Sequence, residues 1–212
     1  MSRVLVISPH PDDEAIGCAG ALCEHIAAGD EVRVVFLSSG EAGGHGAGRA
    51  ETRVRRESEA AAAADVLGIA AIDFWRLPDG KLRADAALVA QLAGRLREWT
   101  PQTLYTTHPG EAHPDHRVAP RALRRALAAS GISGISGCEV WHFEVWTPLA
   151  TMDRIVDISP WMETKLRAVR AYASQCEVLR FDDAVAGLNR WRGEMHSWPG
   201  GDYAEVFTAM AR

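Results

Sequence analysis

Short apolar runs alternate along this chain with longer amphipathic stretches. The first run, Val4-Leu5-Val6-Ile7, is continuous, the pattern of a strand buried on both faces. Residues 15–28 then read as one helix closed by Gly29-Asp30, and 31–37 as a second strand. A long helix is predicted over 49–67, a third strand over 69–76 and a helix over 84–99. A strand follows at 103–107, and a helix runs from Pro114 to Ala129. Beyond a small-residue connector at 131–137, a strand is expected over 138–145. Another, at 154–158, suits an edge and an antiparallel pairing, and 161–173 is helical. The last forty residues are less periodic and predict only helical turns and loops. Alternation of strand and helix predicts an α/β fold: a Rossmann-like, doubly wound, mostly parallel sheet with helices on both faces.

Two places where a strand gives way to a turn carry chemistry. The first strand stops at Pro9-His10-Pro11-Asp12-Asp13-Glu14. The two prolines fix their own φ and force the residues before them toward extended geometry, so the strand ends there. Acidic residues in a helix's first turn are ordinary capping, but a histidine held between two prolines is not. The second strand end reads His108-Pro109-Gly110-Glu111-Ala112-His113-Pro114-Asp115-His116. Pro114 suits a first helical position and Asp115 a first turn. If the two strands are neighbours, both turns converge at the C-terminal edge of the sheet, where open α/β folds bind ligands. His10, Asp13 and His116 then supply what a catalytic zinc needs, three protein ligands and an open position. Asp12 and His113 remain beside it to handle protons.

The paired motifs, about a hundred residues apart, resemble those of the zinc-dependent de-N-acetylases of the PIG-L/LmbE family. Arg56-x-x-Glu59 ahead of Leu67-Gly68, then Pro78-Asp79-Gly80, Leu188-Asn189-Arg190 and Tyr203-Ala204-Glu205 extend the resemblance over nearly the whole chain. It implies one zinc per chain on His10, Asp13 and His116, with Asp12 as general base and His113 as the oxyanion partner. It also implies substrate contacts from Arg56 and Asp79. A surface Glu–Arg pair is the other reading of Arg56, and turn chemistry the other reading of Asp79. Some relatives carry Tyr two residues before the first His of the second motif. Glu111 stands there in this chain, so that Tyr contact is absent.

Composition narrows the picture. The chain's 212 residues suffice for a single domain, expected to span 1–212. A formal net charge of −5 argues against nucleic-acid partners. No apolar run is long enough for a membrane span. The chain enters a strand at once, which predicts no signal peptide and a cytoplasmic location. The four cysteines, Cys18, Cys23, Cys138 and Cys176, show no CxxC spacing and are expected to be reduced. The Gly-rich stretch 40–48 lacks the endings of phosphate-binding loops and reads as a mobile loop beside the pocket. In it, His45 reads as an exposed residue without a role. Trp191 and Trp198 suit core packing more than a sugar-binding wall. His142 and Glu144 share a strand face and are left outside the site.

Taken together, these readings predict hydrolysis of the acetamide of a small amino-sugar-like substrate. Zinc, or Fe(II) on the same ligands, lowers the pKa of a water, and Asp12 takes its proton. A protonated His113 faces the oxyanion, with Asp115 expected to hold that imidazole in its charged form. Asp12 and His113 are equally placed to protonate the leaving amine. Two alternatives stand beside this: an amidase of the same family acting on a larger amide, such as a thiol conjugate, and a non-catalytic metal-binding protein. Whether the chain forms a homo-oligomer is open.

Overall fold

The computed structural model describes residues 1–130, 138–196 and 201–210. The connector at 131–137 and Trp198 lie outside the described residues. Five strands run parallel: β1 (Arg3–Ser8), β2 (Glu31–Phe36), β3 (Ala71–Phe74), β4 (Thr103–Thr107) and β5 (Glu139–Phe143). β6 (Arg154–Asp157) and β7 (Ala204–Ala209) complete a sheet of order β3-β2-β1-β4-β5-β7-β6. β7 is antiparallel to both β5 and β6. The expected edge strand near 154–158 is therefore the edge, paired antiparallel. Its partner comes from the C-terminal segment, where no strand was predicted.

The order reverses between β1 and β4. β1 leads outward through β2 to β3, and the chain then returns to place β4 on the other side of β1. Val4 to Ile7 pair with Thr103 to Thr106, so the two motif-bearing strands are neighbours with aligned C-terminal ends. This crevice is the switch point at which such sheets take ligands.

β1 alternates its side chains between two cores, as a central strand must. Val4 and Val6 pack with α1 (Asp13–Gly17), α2 (Ala19–Ala27) and α3 (Arg49–Leu67), and also with residues of α6 (Met162–Ala171). Leu5 and Ile7 pack with α4 (Ala86–Trp99) and α5 (Pro114–Ala129) on the opposite face. All four are fully buried, each contributing roughly 1.5–3 kcal/mol by removal from water. Asp85 caps α4, accepting from Leu88 N–H at 3.0 Å.

The helix predicted over 15–28 is interrupted at Cys18, whose φ of −144° and ψ of 10° are not helical. Glu205 on β7 accounts for the break. Its two oxygens accept from Gly20 and Ala21 N–H at 2.8 Å each, and Lys165 Nζ donates to it at 2.7 Å. A buried carboxylate thus satisfies free donors in the first turn of α2. The C-terminal segment closes the fold through α7 (Ala173–Cys176) and α8 (Phe181–His196). Glu59 accepts from Ser174 N–H and Oγ, and Asn189 Nδ2 donates to Ala204 O. The Glu59, Asn189 and Glu205 positions of the sequence resemblance are braces between elements. All four cysteines are free thiols, and no helix of the described residues is long and apolar enough to cross a membrane.

Candidate active site

The turns after β1 and β4 bring three donor groups together. His10 Nδ1 lies 3.1 Å from His116 Nε2, and His116 Nε2 lies 3.2 Å from Asp13 Oδ1. Asp13 Oδ2 is 3.5 Å from His10 Nδ1 and accepts from His10 N–H at 2.9 Å. Ligands held at about 2.0–2.1 Å around a tetrahedral cation are separated by roughly 3.3 Å. The spacing of these atoms fits such an ion. His113 is the third member of a group with His10 and His116 whose ring nitrogens lie within 4.8 Å of one another.

The surroundings fit a cation as well. The outer nitrogen of His10, Nε2, faces Asp79 Oδ1 at 3.1 Å and Asp115 Oδ2 at 3.4 Å. His116 Nδ1 is buried without a hydrogen bond and has Glu111 Oε2 at 3.6 Å. Imidazoles whose far nitrogens face carboxylates are oriented as metal ligands usually are. Thr107 Oγ1 fixes the backbone behind, donating to His116 O at 2.7 Å.

Charge tells the same story. Burial opposes charging of His116, yet Asp13 and Glu111 push its pKa up to about 9. Burial likewise opposes His10, and Asp115, Asp13 and Asp79 outweigh it and raise its pKa. Asp13 is buried too, but His116 and His10 hold it well below the usual carboxylate range. Glu111 and Asp79, both against the cost of burial, are held at about 2, Glu111 by His108 and His116 and Asp79 chiefly by His10. An excess of ionised carboxylate around two imidazoles is neutralised by a dication.

Asp12 differs from its neighbour. It is buried, and burial raises its pKa to about 6 although Arg56 opposes the shift. Its φ of 121° is outside the regions favoured by non-glycine residues, at a cost of about 1–3 kcal/mol. Arg56 Nη2 donates to Asp12 Oδ2 at 2.9 Å and also to Pro11 O, while Nη1 donates to Gly40 O at 3.1 Å. Gly40 has φ +65°, and a Cβ there would collide with the guanidinium. Arg56 is therefore not a surface ion pair. It is buried and clamps the loop that carries Asp12.

Two further expectations need correction. Asp115 does not hold the His113 ring. Its carboxylate accepts from Gly80 N–H at 2.7 Å and Leu82 N–H at 3.2 Å and faces His10, because the start of α5 turns it that way. Its backbone N–H instead donates to His113 Nδ1 at 3.2 Å. His113 is also not driven to its charged form: burial, then His10 and His116, lower its pKa. With Nδ1 accepting, the neutral ring carries its proton on Nε2. Asp79 is both a turn residue and a site residue, accepting from Ala42 N–H at 2.7 Å as well as facing His10.

A cavity of about 260 Å³ opens over these groups. His10, Asp12, Asp13, Arg56, Asp79 and His113 line it together with Ala42, Gly43 and His45 of the Gly-rich loop. His45, expected to have no role, stands at its edge. Trp146, Gln175, Leu179 and Phe181 form the remaining wall. None of these four was predicted, and the aromatic wall comes from Trp146; Trp191, expected to pack into the core, is instead half-exposed beside the His196 ring. Glu144 forms a buried pair with Arg192 at 2.6 Å, and His142 is buried in β5. Glu111 was legible only as a departure from a motif. Its oxygens accept from the Val145 and Trp146 N–H groups, aiming it inward at His116.

Residues 5–127 match the family model described as PIG-L: GlcNAc-PI de-N-acetylase. The chain belongs to the PIG-L family. Among curated relatives of this PIG-L protein, the diacetylchitobiose deacetylase of Thermococcus kodakarensis is 31% identical over 189 residues, covering 82% of this chain and 70% of the relative. A solved structure of N,N'-diacetylchitobiose deacetylase from Pyrococcus horikoshii superposes with a TM-score of 0.86 at 26% identity, over 99% of this chain and 84% of that one. The 4-carboxy-2-hydroxymuconate hydratase of Pseudomonas putida KT2440 shares the fold, with a TM-score of 0.88 at 24% identity over 100% and 97% of the two chains. The fold alone therefore does not fix the reaction, and the side chains must.

Proposed function

We propose that this PIG-L protein is a zinc-dependent N-deacetylase that hydrolyses the acetamide of a small amino sugar or amino-sugar conjugate. The observation that carries the reading is the convergence of His10, Asp13 and His116 beside a buried carboxylate, Asp12, in one cavity. The deacetylase names of its relatives support it. His10 through Nδ1, His116 through Nε2 and Asp13 would hold one ion, with His113 left free for catalysis. Zinc in such a set supplies an activated water and Lewis-acid polarisation of the acyl oxygen.

The chain's own groups do the rest. Asp12, raised toward neutrality by burial, accepts the proton of the attacking water. Arg56 fixes the oxygen of Asp12 that does not take the proton. His113, with Nδ1 engaged by Asp115 N–H, donates from Nε2 to the acyl oxygen as it gains charge. Asp12 then carries the proton that the departing amine needs. Asp79 and Arg56 line the same cavity, where the hydroxyls of a bound sugar would meet them.

The test is a screen of N-acetylated amino sugars and their glycosides for free-amine release, run with zinc-loaded and metal-stripped protein. Amine and acetate in equal amounts, only with metal, are expected. No release from any acetamido sugar by protein that holds one zinc per chain would overturn the reading.

A further inference from the structure

Glu14 has no part in the chemistry above, yet it is buried directly behind the reacting groups, with 1% of its surface exposed. Its Oε1 accepts from the Tyr172 hydroxyl at 2.5 Å, and its Oε2 faces Asp12 N–H at 3.2 Å. Tyr172 is as deeply buried and comes from the end of α6, 158 residues away in sequence. A carboxyl and a phenol placed face to face in an interior are costly to desolvate, and an apolar pair of the same volume would pack there more cheaply. Packing alone does not account for them. The second oxygen of Glu14 does, because its partner is the main chain of Asp12.

Asp12 is the non-glycine residue of the site loop held at φ 121°. Such a conformation persists only where its surroundings over-determine it. Arg56 holds the side chain of Asp12 and the carbonyl of Pro11. Glu14 holds the amide of Asp12 from the other side. We propose that Glu14 and Tyr172 are positioning residues for Asp12: Tyr172 fixes the Glu14 carboxyl, and Glu14 fixes the strained turn that presents Asp12 to the cavity. This inference rests on the reading of Asp12 as the base. It ties the C-terminal segment, through a single phenol, to the catalytic loop.

The test compares Tyr172→Phe, Glu14→Gln and Glu14→Ala with the full-length zinc-loaded protein, using N-acetylglucosamine and N,N'-diacetylchitobiose as probes. Tyr105→Phe serves as a control, since it removes another buried hydroxyl, bonded to His25 and Arg154 away from the site. Misplacement of a reacting group by about 1 Å costs on the order of 100-fold in rate. Tyr172→Phe is therefore expected to lower kcat roughly 10- to 100-fold, with KM and zinc content unchanged. Glu14→Gln keeps an acceptor for Asp12 N–H and should restore most of the activity lost in Glu14→Ala. Tyr105→Phe should lower Tm and leave kcat alone. Unchanged kcat in Tyr172→Phe, or a fall that tracks zinc loss or appears equally in Tyr105→Phe, overturns the inference. A crystal structure of Tyr172→Phe decides it independently of activity: Asp12 relaxing from its positive φ supports the positioning role, and Asp12 unmoved refutes it. Wild-type protein without amine release would count against the deacetylase reading, and that crystal structure would still judge the latch.

Discussion

Asp12 and Asp13 are adjacent and chemically identical, yet replacing each with Asn should have opposite consequences. Asn at position 13 keeps the shape and loses the charge that lies between His10 and His116. Even residues that only orient a metal ligand cost about 10- to 100-fold in metal affinity when altered, so Asp13→Asn should lose at least that much and leave the purified protein short of zinc. Asn at position 12 still offers an oxygen to Arg56 but accepts no proton. Loss of a general base costs roughly 10²–10⁴-fold in rate, or about 3–5.5 kcal/mol of barrier. Asp12→Asn should keep its zinc and its substrate affinity while turnover collapses.

Stability separates them further. Burial raises the Asp12 pKa to about 6 from an ordinary 3.8. A carboxyl raised on folding contributes most stability below pH 3.8, and the contribution is lost as pH rises through 6. At pH 8 the ionised Asp12 therefore costs the metal-free fold on the order of 3 kcal/mol. Metal-free Asp12→Asn should melt at or above wild type at that pH, whereas metal-free Asp13→Asn, whose native carboxylate is strongly favoured by two imidazoles, should melt below it. The assay is zinc content, melting of metal-free protein and amine release on the three proteins side by side. Simple helix capping predicts that both changes are tolerated, because Asn caps as well as Asp. Full activity in Asp12→Asn, or equal zinc loss in both variants, refutes the assignment.

Arg56→Lys retains a charge but not the fork that reaches Asp12, Pro11 and Gly40 together; kcat/KM should fall at least about 10-fold with zinc content unchanged, measured by kinetics and elemental analysis. Glu111→Gln weakens the anionic support behind His116 and should reduce zinc affinity by about 10- to 100-fold in a chelator competition. Burial, with His108 and Arg124, pushes the His142 pKa down to about 4. Its contribution is whole above the unfolded value of about 6.5 and is lost as pH falls through 4. At pH 5 that loss is about 2 kcal/mol, so the Tm drop from pH 7.5 to 5 should be about 4–8 °C larger in wild type than in His142→Phe. Equal drops in the two proteins count against it.

Much of the site was readable from sequence because its information is local. A strand that ends in prolines delivers the next residues to a sheet edge, and β1 and β4 each carry their donors within a few residues of that edge. What local reading could not supply was direction. Asp115 stands two residues from His113 in sequence, yet the first turn of α5 points its carboxylate at Gly80, Leu82 and His10. Arg56 was singled out only by the family resemblance, with a surface Glu–Arg pair as its other reading. Its partners, Asp12 and Gly40, lie 44 and 16 residues away, and only the folded chain shows that the cation is buried against them. β7 escaped for a related reason. Its run carries Glu205 at a position that becomes fully buried, and a carboxylate there argues against a central strand until Lys165 and the first turn of α2 are seen to satisfy it. In each case the polar group is one whose burial is tolerable only with a distant partner. Hydrophobic periodicity registers apolar burial and is blind to that second kind, and catalytic positioning depends on the second kind. The groups around Asp12, Arg56, Glu14 and Tyr172, come from three separate stretches of chain, so the candidate base is legible in a hexapeptide while its geometry is a property of the whole fold.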